Sequence, residues 1–186
     1  MQMLTLEKSA TASKYDRVHF AIIRLVHESL YGLFVDPYRR LSKARVKAGQ
    51  RVLEVGCGPG YFTIPAAKIV GEKGHVYALD INPAAVEHVK RKIDKEGLTN
   101  VEAKPADASV TGLQDESIDL AFLFSVFHAF ENVNKVLAEM HRVLKANGTL
   151  SIQSRIPEEK LLPTMTAEGL FHLAAKDEGI YVFEKS

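Results

Sequence analysis

A glycine-rich run is the part of this sequence whose residue types and spacing could do chemistry. Residues 54–60 read Glu-Val-Gly-Cys-Gly-Pro-Gly, an acid followed by glycines at alternate positions. Glycine lets the backbone turn sharply and lets a ligand approach closely, and N–H groups at the start of a following helix can receive a carboxylate. The run therefore predicts a ligand-binding loop, and the alternative is a glycine-rich turn that binds nothing.

The spacing of the glycines excludes two common ligands. A dinucleotide-binding loop requires a third glycine at position 61, where this chain has Tyr61. A phosphate-binding P-loop ends in Gly-Lys-Ser or Gly-Lys-Thr, and residues 54–63 contain no such ending. If the loop binds a ligand, that ligand is therefore neither a dinucleotide nor a phosphate held by a P-loop.

The order acid-x-Gly-x-Gly-x-Gly resembles motif I of the class I S-adenosylmethionine-dependent methyltransferases, where the loop curves around the methionine part of the cofactor. The resemblance covers the chain from about residue 50 onwards, and is closest to the small-molecule branch that includes the quinone-biosynthesis C-methyltransferases. It implies an enzyme with S-adenosyl-L-methionine as its cofactor. The cofactor-binding residues expected from the loop and from this resemblance are Glu54, Gly56, Cys57, Gly58, Gly60, Asp80, Ile81, Asp107, Ala108 and Ser125.

Two aspartates extend the expected cofactor site. Asp80 ends the predicted second strand, where an acid can accept two hydrogen bonds from ribose hydroxyls, and Asn82 is better placed than Asp80 to cap the next helix. Asp107 resembles the family position that accepts a hydrogen bond from the adenine amino group; the alternative is an ordinary solvated loop residue. Ile81 and Ala108 would then line the adenine slot.

The sequence indicates the residues that bind the methyl acceptor less directly than those that bind the cofactor. Methyl transfer requires a nucleophile held in line with the departing sulfur, so a dedicated base is not essential. His128 follows the predicted central strand and is the candidate base, and the alternative is a loop histidine packed against Phe127 and Phe130.

An amphipathic helix predicted at residues 15–34 precedes the glycine loop and could cover the acceptor. Its candidate acceptor-binding side chains share one helical stripe: Tyr15, His19, His27 and Tyr31. The alternative is an ordinary amphipathic lid. No metal site is expected, because the two histidines lie two turns apart and lack a third ligand.

Strands and helices alternate along the rest of the chain. This pattern predicts an α/β, Rossmann-like, mostly parallel seven-stranded sheet with helices on both faces and a C-terminal antiparallel hairpin. The predicted strands are residues 51–55, 75–80, 101–104, 118–124, 149–156, 170–174 and 180–183. We expect a single domain in which residues 1–48 form a helical substrate-side segment and residues 49–186 form the cofactor-binding core.

Two helices of this core have recognisable ends. Asn82, Pro83 and Gly97 predict the start and the end of one of them. A second apolar stripe begins at Val133 and is expected to end at residues 147–148, with Gly148 in a left-handed conformation.

Charge and cysteine content restrict the partners. The 186-residue chain has a formal net charge of +1 and one cysteine. Balanced charge creates no field that recruits nucleic acid, and a lone cysteine forms neither an internal disulfide nor a multi-cysteine zinc site. No export signal or membrane span is visible, so we expect a cytoplasmic protein that acts on a small-molecule acceptor.

Two other functions are compatible with the same loop. A nucleic-acid or protein methyltransferase would favour a basic surface or an Asn/Asp-Pro-Pro-aromatic motif after the fourth strand, and residues 125–128 offer neither. A non-catalytic S-adenosylmethionine-binding module would have a closed cofactor site with no acceptor cavity beside the methyl group.

Overall fold

The computed structural model describes residues 35–186 and arranges their strands in one sheet. The helix predicted at residues 15–34 lies outside the described residues. The strands are β1 (Arg51–Val55), β2 (His75–Asp80), β3 (Val101–Pro105), β4 (Ile118–Phe124), β5 (Leu144–Gln153), β6 (Phe171–Asp177) and β7 (Ile180–Lys185). The helices are α1 (Pro37–Lys43), α2 (Thr63–Val70), α3 (Pro83–Glu96), α4 (Val133–Val143) and α5 (Glu158–Thr166), with a 3₁₀ turn at Phe127–Ala129. No described helix is both long and apolar enough to cross a membrane.

The order of the strands confirms the predicted fold class. Seven strands lie in the order β3-β2-β1-β4-β5-β7-β6. Strands β1 to β5 are parallel, and β7 runs antiparallel to both β5 and β6. The direction of strand succession reverses between β1 and β4, and open α/β sheets bind ligands at the carboxyl ends of the strands beside such a point. The glycine-rich loop at residues 56–60 leaves β1 at this end.

Side chains of the central strand alternate between the two faces of the sheet. Leu123 of β4 packs in the cluster formed with α4 and α5, whereas Phe122 and Phe124 pack in the cluster formed with α1 and α2. All residues of β4 except Asp119 are buried, as predicted for a strand covered by helices on both sides.

The predicted ends of α3 are confirmed. Asn82 Oδ1 accepts a hydrogen bond from the Ala84 N–H at 2.9 Å, and Pro83 occupies the first helical position. Gly97 ends the helix with φ of 63°. Since the cap is made by Asn82, Asp80 remains available for another role.

The predicted end of α4 is wrong. The helix stops at Val143 and β5 begins at Leu144, without a left-handed glycine between them. A Cβ on Gly148 would lie 2.9 Å from the Lys145 carbonyl oxygen and 3.0 Å from the Leu144 Cβ. Gly148 is therefore needed for a close approach of the backbone rather than for a positive φ.

Candidate functional site

The glycine-rich loop is tied to the end of β2 by its own N–H groups. The N–H groups of Gly56 and Cys57 donate to the Leu79 carbonyl at 2.7 and 2.9 Å, and the Gly58 N–H donates to Asp80 Oδ2 at 2.8 Å. These donors hold the loop against its neighbouring strand. These three N–H groups are used within the protein, so the prediction of a ligand carboxylate concerns only the N–H groups at the start of α2.

Two cavities meet beside this loop and share Val55, Gly56, Asp80 and Val126 in their walls. The outer cavity, about 410 Å³, extends over the end of β2 and is bordered by Ile81, Asp107, Ala108 and Phe130. The inner cavity, about 240 Å³, lies on the α2 side and is bordered by Glu54, Cys57, Gly58, Tyr61, Phe62, Phe124 and Ser125. Together they form one elongated site at the carboxyl ends of β1, β2 and β4.

Gly56 occupies the junction of the two cavities. Its φ is +77°, and a Cβ at this position would lie 2.7 Å from Val126 Cγ2. Both the backbone conformation and the contact with Val126 therefore exclude a side chain. Val126 is a site residue that the sequence analysis missed, because its contact with Gly56 depends on the packing of two distant segments.

Replacing Gly56 by alanine is expected to lower the free energy of unfolding by about 2–4 kcal/mol, since backbone strain and overpacking add. Gly58→Ala is the matched control: φ there is +49°, but a Cβ would meet no atom within 4 Å, so only the backbone strain applies. Urea denaturation of both variants measures the difference. If both variants lose the same free energy of unfolding, the contact with Val126 does not contribute to the effect of Gly56→Ala.

Asp80 lies where the two cavities join. Its Oδ2 accepts from the Gly58 N–H, and its Oδ1 accepts from the Asn82 N–H at 2.9 Å. Burial raises the pKa of the Asp80 carboxyl, and the two N–H donors oppose that rise. Each oxygen keeps a second acceptor position, so the carboxylate can bind a pair of hydroxyl groups.

The far end of the outer cavity carries Ile81, Asp107 and Ala108. The Ile81 side chain is 74% exposed, which is unusual for a large apolar residue and provides a flat apolar surface at the rim. Asp107 Oδ1 accepts from the N–H and the hydroxyl of Ser109, both at 2.7 Å. These hydrogen bonds lower the pKa of Asp107, and they occupy only one of its two oxygens.

Glu54 is the ionisable group of the inner cavity with the most unusual environment. Its side chain is buried, and Thr63 Oγ1 donates to its Oε2 at 2.5 Å. Burial raises the pKa of the Glu54 carboxyl to about 8, and the nearby Asp80 adds to the rise. At neutral pH Glu54 is therefore mostly protonated, and a cation in the inner cavity would favour its ionised form.

The raised pKa of Glu54 predicts a pH-dependent stability. An acid whose pKa rises on folding contributes stability that is complete below its ordinary pKa of 4.5 and is lost as the pH passes through about 8. Between about pH 5 and pH 9, the unfolding free energy of the ligand-free protein should fall by about 4 kcal/mol relative to Glu54→Gln. Urea denaturation of both proteins at several pH values across this range measures the difference. If the unfolding free energies of the two proteins change equally with pH, Glu54 is not a buried neutral acid.

The remaining predicted site residues occupy different places. Cys57 packs in the cluster under α3 and also borders the inner cavity. Gly60 borders neither cavity; a Cβ there would lie 3.0 Å from Val89 Cγ2, so this glycine allows α3 to pack closely. Ser125 borders the inner cavity with φ of 58°. His128 is exposed on the 3₁₀ turn and borders neither cavity.

The four candidate acceptor-binding residues lie outside the described residues: Tyr15, His19, His27 and Tyr31. The structure nevertheless shows where the described chain begins. The Tyr61 hydroxyl, at the wall of the inner cavity, donates a hydrogen bond to the Val35 carbonyl. Val35 therefore lies beside the inner cavity.

A family model described as a methyltransferase domain matches residues 46–185. The chain belongs to the class I S-adenosylmethionine-dependent methyltransferases. Its cofactor is S-adenosylmethionine. The glycine loop, the half-buried Asp80 and the paired cavities fit such a ligand, because they offer hydroxyl acceptors beside an elongated space.

Two relatives of known or probable activity are similar in sequence to this methyltransferase. It is 32% identical to a probable cobalt-precorrin-6B C(15)-methyltransferase (decarboxylating) of Sulfolobus acidocaldarius, over 69% of this chain and 67% of that protein. It is also 32% identical to a ubiquinone/menaquinone biosynthesis C-methyltransferase of Vibrio vulnificus, over 77% of this chain and 53% of that protein. The chain thus spans about half to two thirds of the length of these curated relatives.

The crystal structure of an S-adenosylmethionine-dependent methyltransferase from Aquifex aeolicus has a similar fold. The TM-score is 0.73 at 26% identity, and the match covers 92% of this chain and 97% of that chain. Fold, cofactor and the resemblance to quinone-biosynthesis methyltransferases are therefore confirmed.

Proposed function

We propose that this methyltransferase transfers the methyl group of S-adenosylmethionine to a small, largely apolar or aromatic acceptor. The observation that carries the proposal is the inner cavity, whose wall includes aromatic rings beside the glycine loop. Phe62 and Phe124 meet edge to face with ring centroids 4.9 Å apart, and Tyr61 lies 5.0 Å from Phe62 in the same geometry. Such a wall favours a flat apolar ring.

Two of the relatives reported above support a small acceptor. One acts on a cobalt-precorrin, and another serves the biosynthesis of ubiquinone and menaquinone. Nothing in the described residues favours a nucleic acid or a protein as the acceptor. We therefore propose a small-molecule acceptor for this chain as well. We also propose that the enzyme acts in the reducing cytoplasm, which agrees with the single cysteine in the sequence.

The residues that would hold the cofactor follow from the cavity walls. Asp80 would accept hydrogen bonds from the ribose hydroxyls, and Ile81 with Ala108 would enclose the adenine, with a free oxygen of Asp107 near its amino group. Gly56 and Ser125 would border the methionine part, with Glu54 at its end. When bound, the cofactor supplies an electrophilic methyl group.

In this proposal the protein accelerates the reaction mainly by orienting the acceptor toward the methyl group and by excluding water from the site. The inner cavity would hold the methionine part along Glu54, Gly56 and Ser125 and the acceptor along its aromatic side. The aromatic side chains there would exclude solvent and align the nucleophile. His128 remains the candidate base. Because it is exposed in the described structure, we propose that it acts only after the N-terminal segment closes over it.

We further propose that residues 1–48 form the acceptor side of the site. The contact between Tyr61 and Val35 supports this assignment, because the chain that precedes α1 approaches the inner cavity there. Tyr15, His19, His27 and Tyr31 would then face the acceptor from the predicted lid.

A turnover screen over a library of small metabolites, scored by release of S-adenosylhomocysteine, tests the proposed function. We expect turnover with planar, apolar acceptors and none with nucleic acid or protein substrates. If no small acceptor reacts although S-adenosylmethionine binds, the proposal fails, and a macromolecular acceptor or a non-catalytic role takes its place.

A further inference from the structure

A buried polar atom without a partner lies at the carboxyl end of β5. Gln153 Oε1 is shielded from solvent and accepts no hydrogen bond from the described residues. An amide oxygen left unpaired in the interior destabilises a folded protein, so nearly all such groups are paired with protein, water or ligand. Gln153 Oε1 therefore offers an acceptor position to a donor from outside the described chain.

The strand register fixes the direction of this side chain. Gln153 lies between Phe124 of β4 and Ile180 of β7 in the sheet, and paired residues project to the same face. Ser151, two residues earlier, donates its hydroxyl to the Ala44 carbonyl at 2.8 Å, which marks this as the α1 face. Gln153 therefore projects on the same face as Phe124.

That face adjoins the inner cavity. Phe124 and Ser125 both border the cavity, and the Ser125 N–H donates to the Gln153 carbonyl at 2.9 Å. The Gln153 backbone is thus bonded directly to a residue of the cavity wall. Gln153 does not itself border the cavity, but it is the strand neighbour of Phe124, a residue of the apolar wall, at the end of the sheet where the glycine loop lies.

Resting on the proposed function, we propose that Gln153 positions the methyl acceptor by receiving a hydrogen bond from an O–H or N–H group on it. The ring of the acceptor packs against Phe124 while its donor meets Gln153 Oε1. The substrate class is therefore a flat, largely apolar ring that carries a hydrogen-bond donor. A similar ring without the donor leaves the amide oxygen unpaired, and such a site discriminates strongly against it.

Phenol and anisole test this inference, because they share one ring and differ in the O–H donor. Their dissociation constants are measured by ligand-observed NMR on the full-length protein saturated with S-adenosylhomocysteine. We expect phenol to bind about tenfold more tightly than anisole, although anisole is the more apolar molecule. Equal affinities, or tighter binding of anisole, would overturn the proposal.

Two variants separate a role in binding from a role in packing. Gln153→Leu should bind phenol and anisole equally, while Gln153→Glu keeps an acceptor oxygen and should keep the preference for phenol. A phenol preference that survives in Gln153→Leu assigns the donor to another residue and rejects the proposal. If Gln153→Leu does not fold, Gln153→Met replaces it in the same comparison.

The binding test is independent of turnover, so the two proposals can fail separately. Suppose that phenol binds more tightly than anisole only when Gln153 is present, but that the protein methylates no small acceptor. The proposed function then fails, and the proposed binding role of Gln153 stands. Where turnover is found, Gln153→Leu should raise the KM of a donor-bearing acceptor about tenfold with little change in kcat. An unchanged KM would reject a positioning role.

Discussion

Replacing Asp80 by alanine is expected to weaken S-adenosylhomocysteine binding by about 2–4 kcal/mol, which is a loss of about 30-fold to 1,000-fold in affinity. Two effects add in this variant. In the proposed site the ribose hydroxyls would lose a charged acceptor, and the N–H groups of Gly58 and Asn82 lose the carboxylate that accepts their hydrogen bonds. Calorimetry measures the dissociation constant, and circular dichroism checks that the fold survives.

Asp107→Ala is the matched control for this experiment. Asp107 also borders the outer cavity, but it is exposed, and Ser109 already uses one of its oxygens. A hydrogen bond in water-accessible surroundings contributes only about 1 kcal/mol, so its removal should weaken binding much less. An unchanged dissociation constant in folded Asp80→Ala would remove Asp80 from the cofactor site.

Deleting residues 1–34 is expected to lower turnover by about 100-fold or more while leaving most of the cofactor affinity intact. The residues that border the two cavities all lie between positions 54 and 136, and the described core clusters contain only residues from position 41 onwards. The acceptor side of the inner cavity would lose its proposed cover. Single-turnover kinetics and calorimetry on the truncated protein measure the two quantities separately.

Tyr61→Phe in the full-length chain is a milder version of the deletion. It removes only the hydroxyl that donates to the Val35 carbonyl and keeps the ring against Phe62. We expect a smaller loss of turnover with unchanged cofactor binding. Full activity of the folded truncated protein would show that the N-terminal helix serves packing or assembly, and the acceptor would then be bound by loops after β4 and β5.

Local sequence patterns predicted the elements well where the ends of an element are marked by residues of special conformation. Asn82, Pro83 and Gly97 act within one or two residues of the ends of α3, so their effect is readable without the fold. The junction of α4 and β5 was not predictable in this way. The apolar residues Val143 and Leu144 suit either a helix or a strand, and only their partners in the sheet decide between them.

The sequence by itself determined the fold class and the place of Asp80 at the end of β2, because both depend on spacing along the chain. The cofactor followed from the resemblance of residues 54–60 to a family motif. The tertiary structure alone decided that the loop N–H groups bind β2, that Gly56 must accommodate Val126, and that Gln153 has an unpaired oxygen beside Phe124. The reason is physical. Propensities and capping act over a few neighbouring residues, whereas burial and hydrogen-bond pairing depend on segments that meet only in the folded sheet.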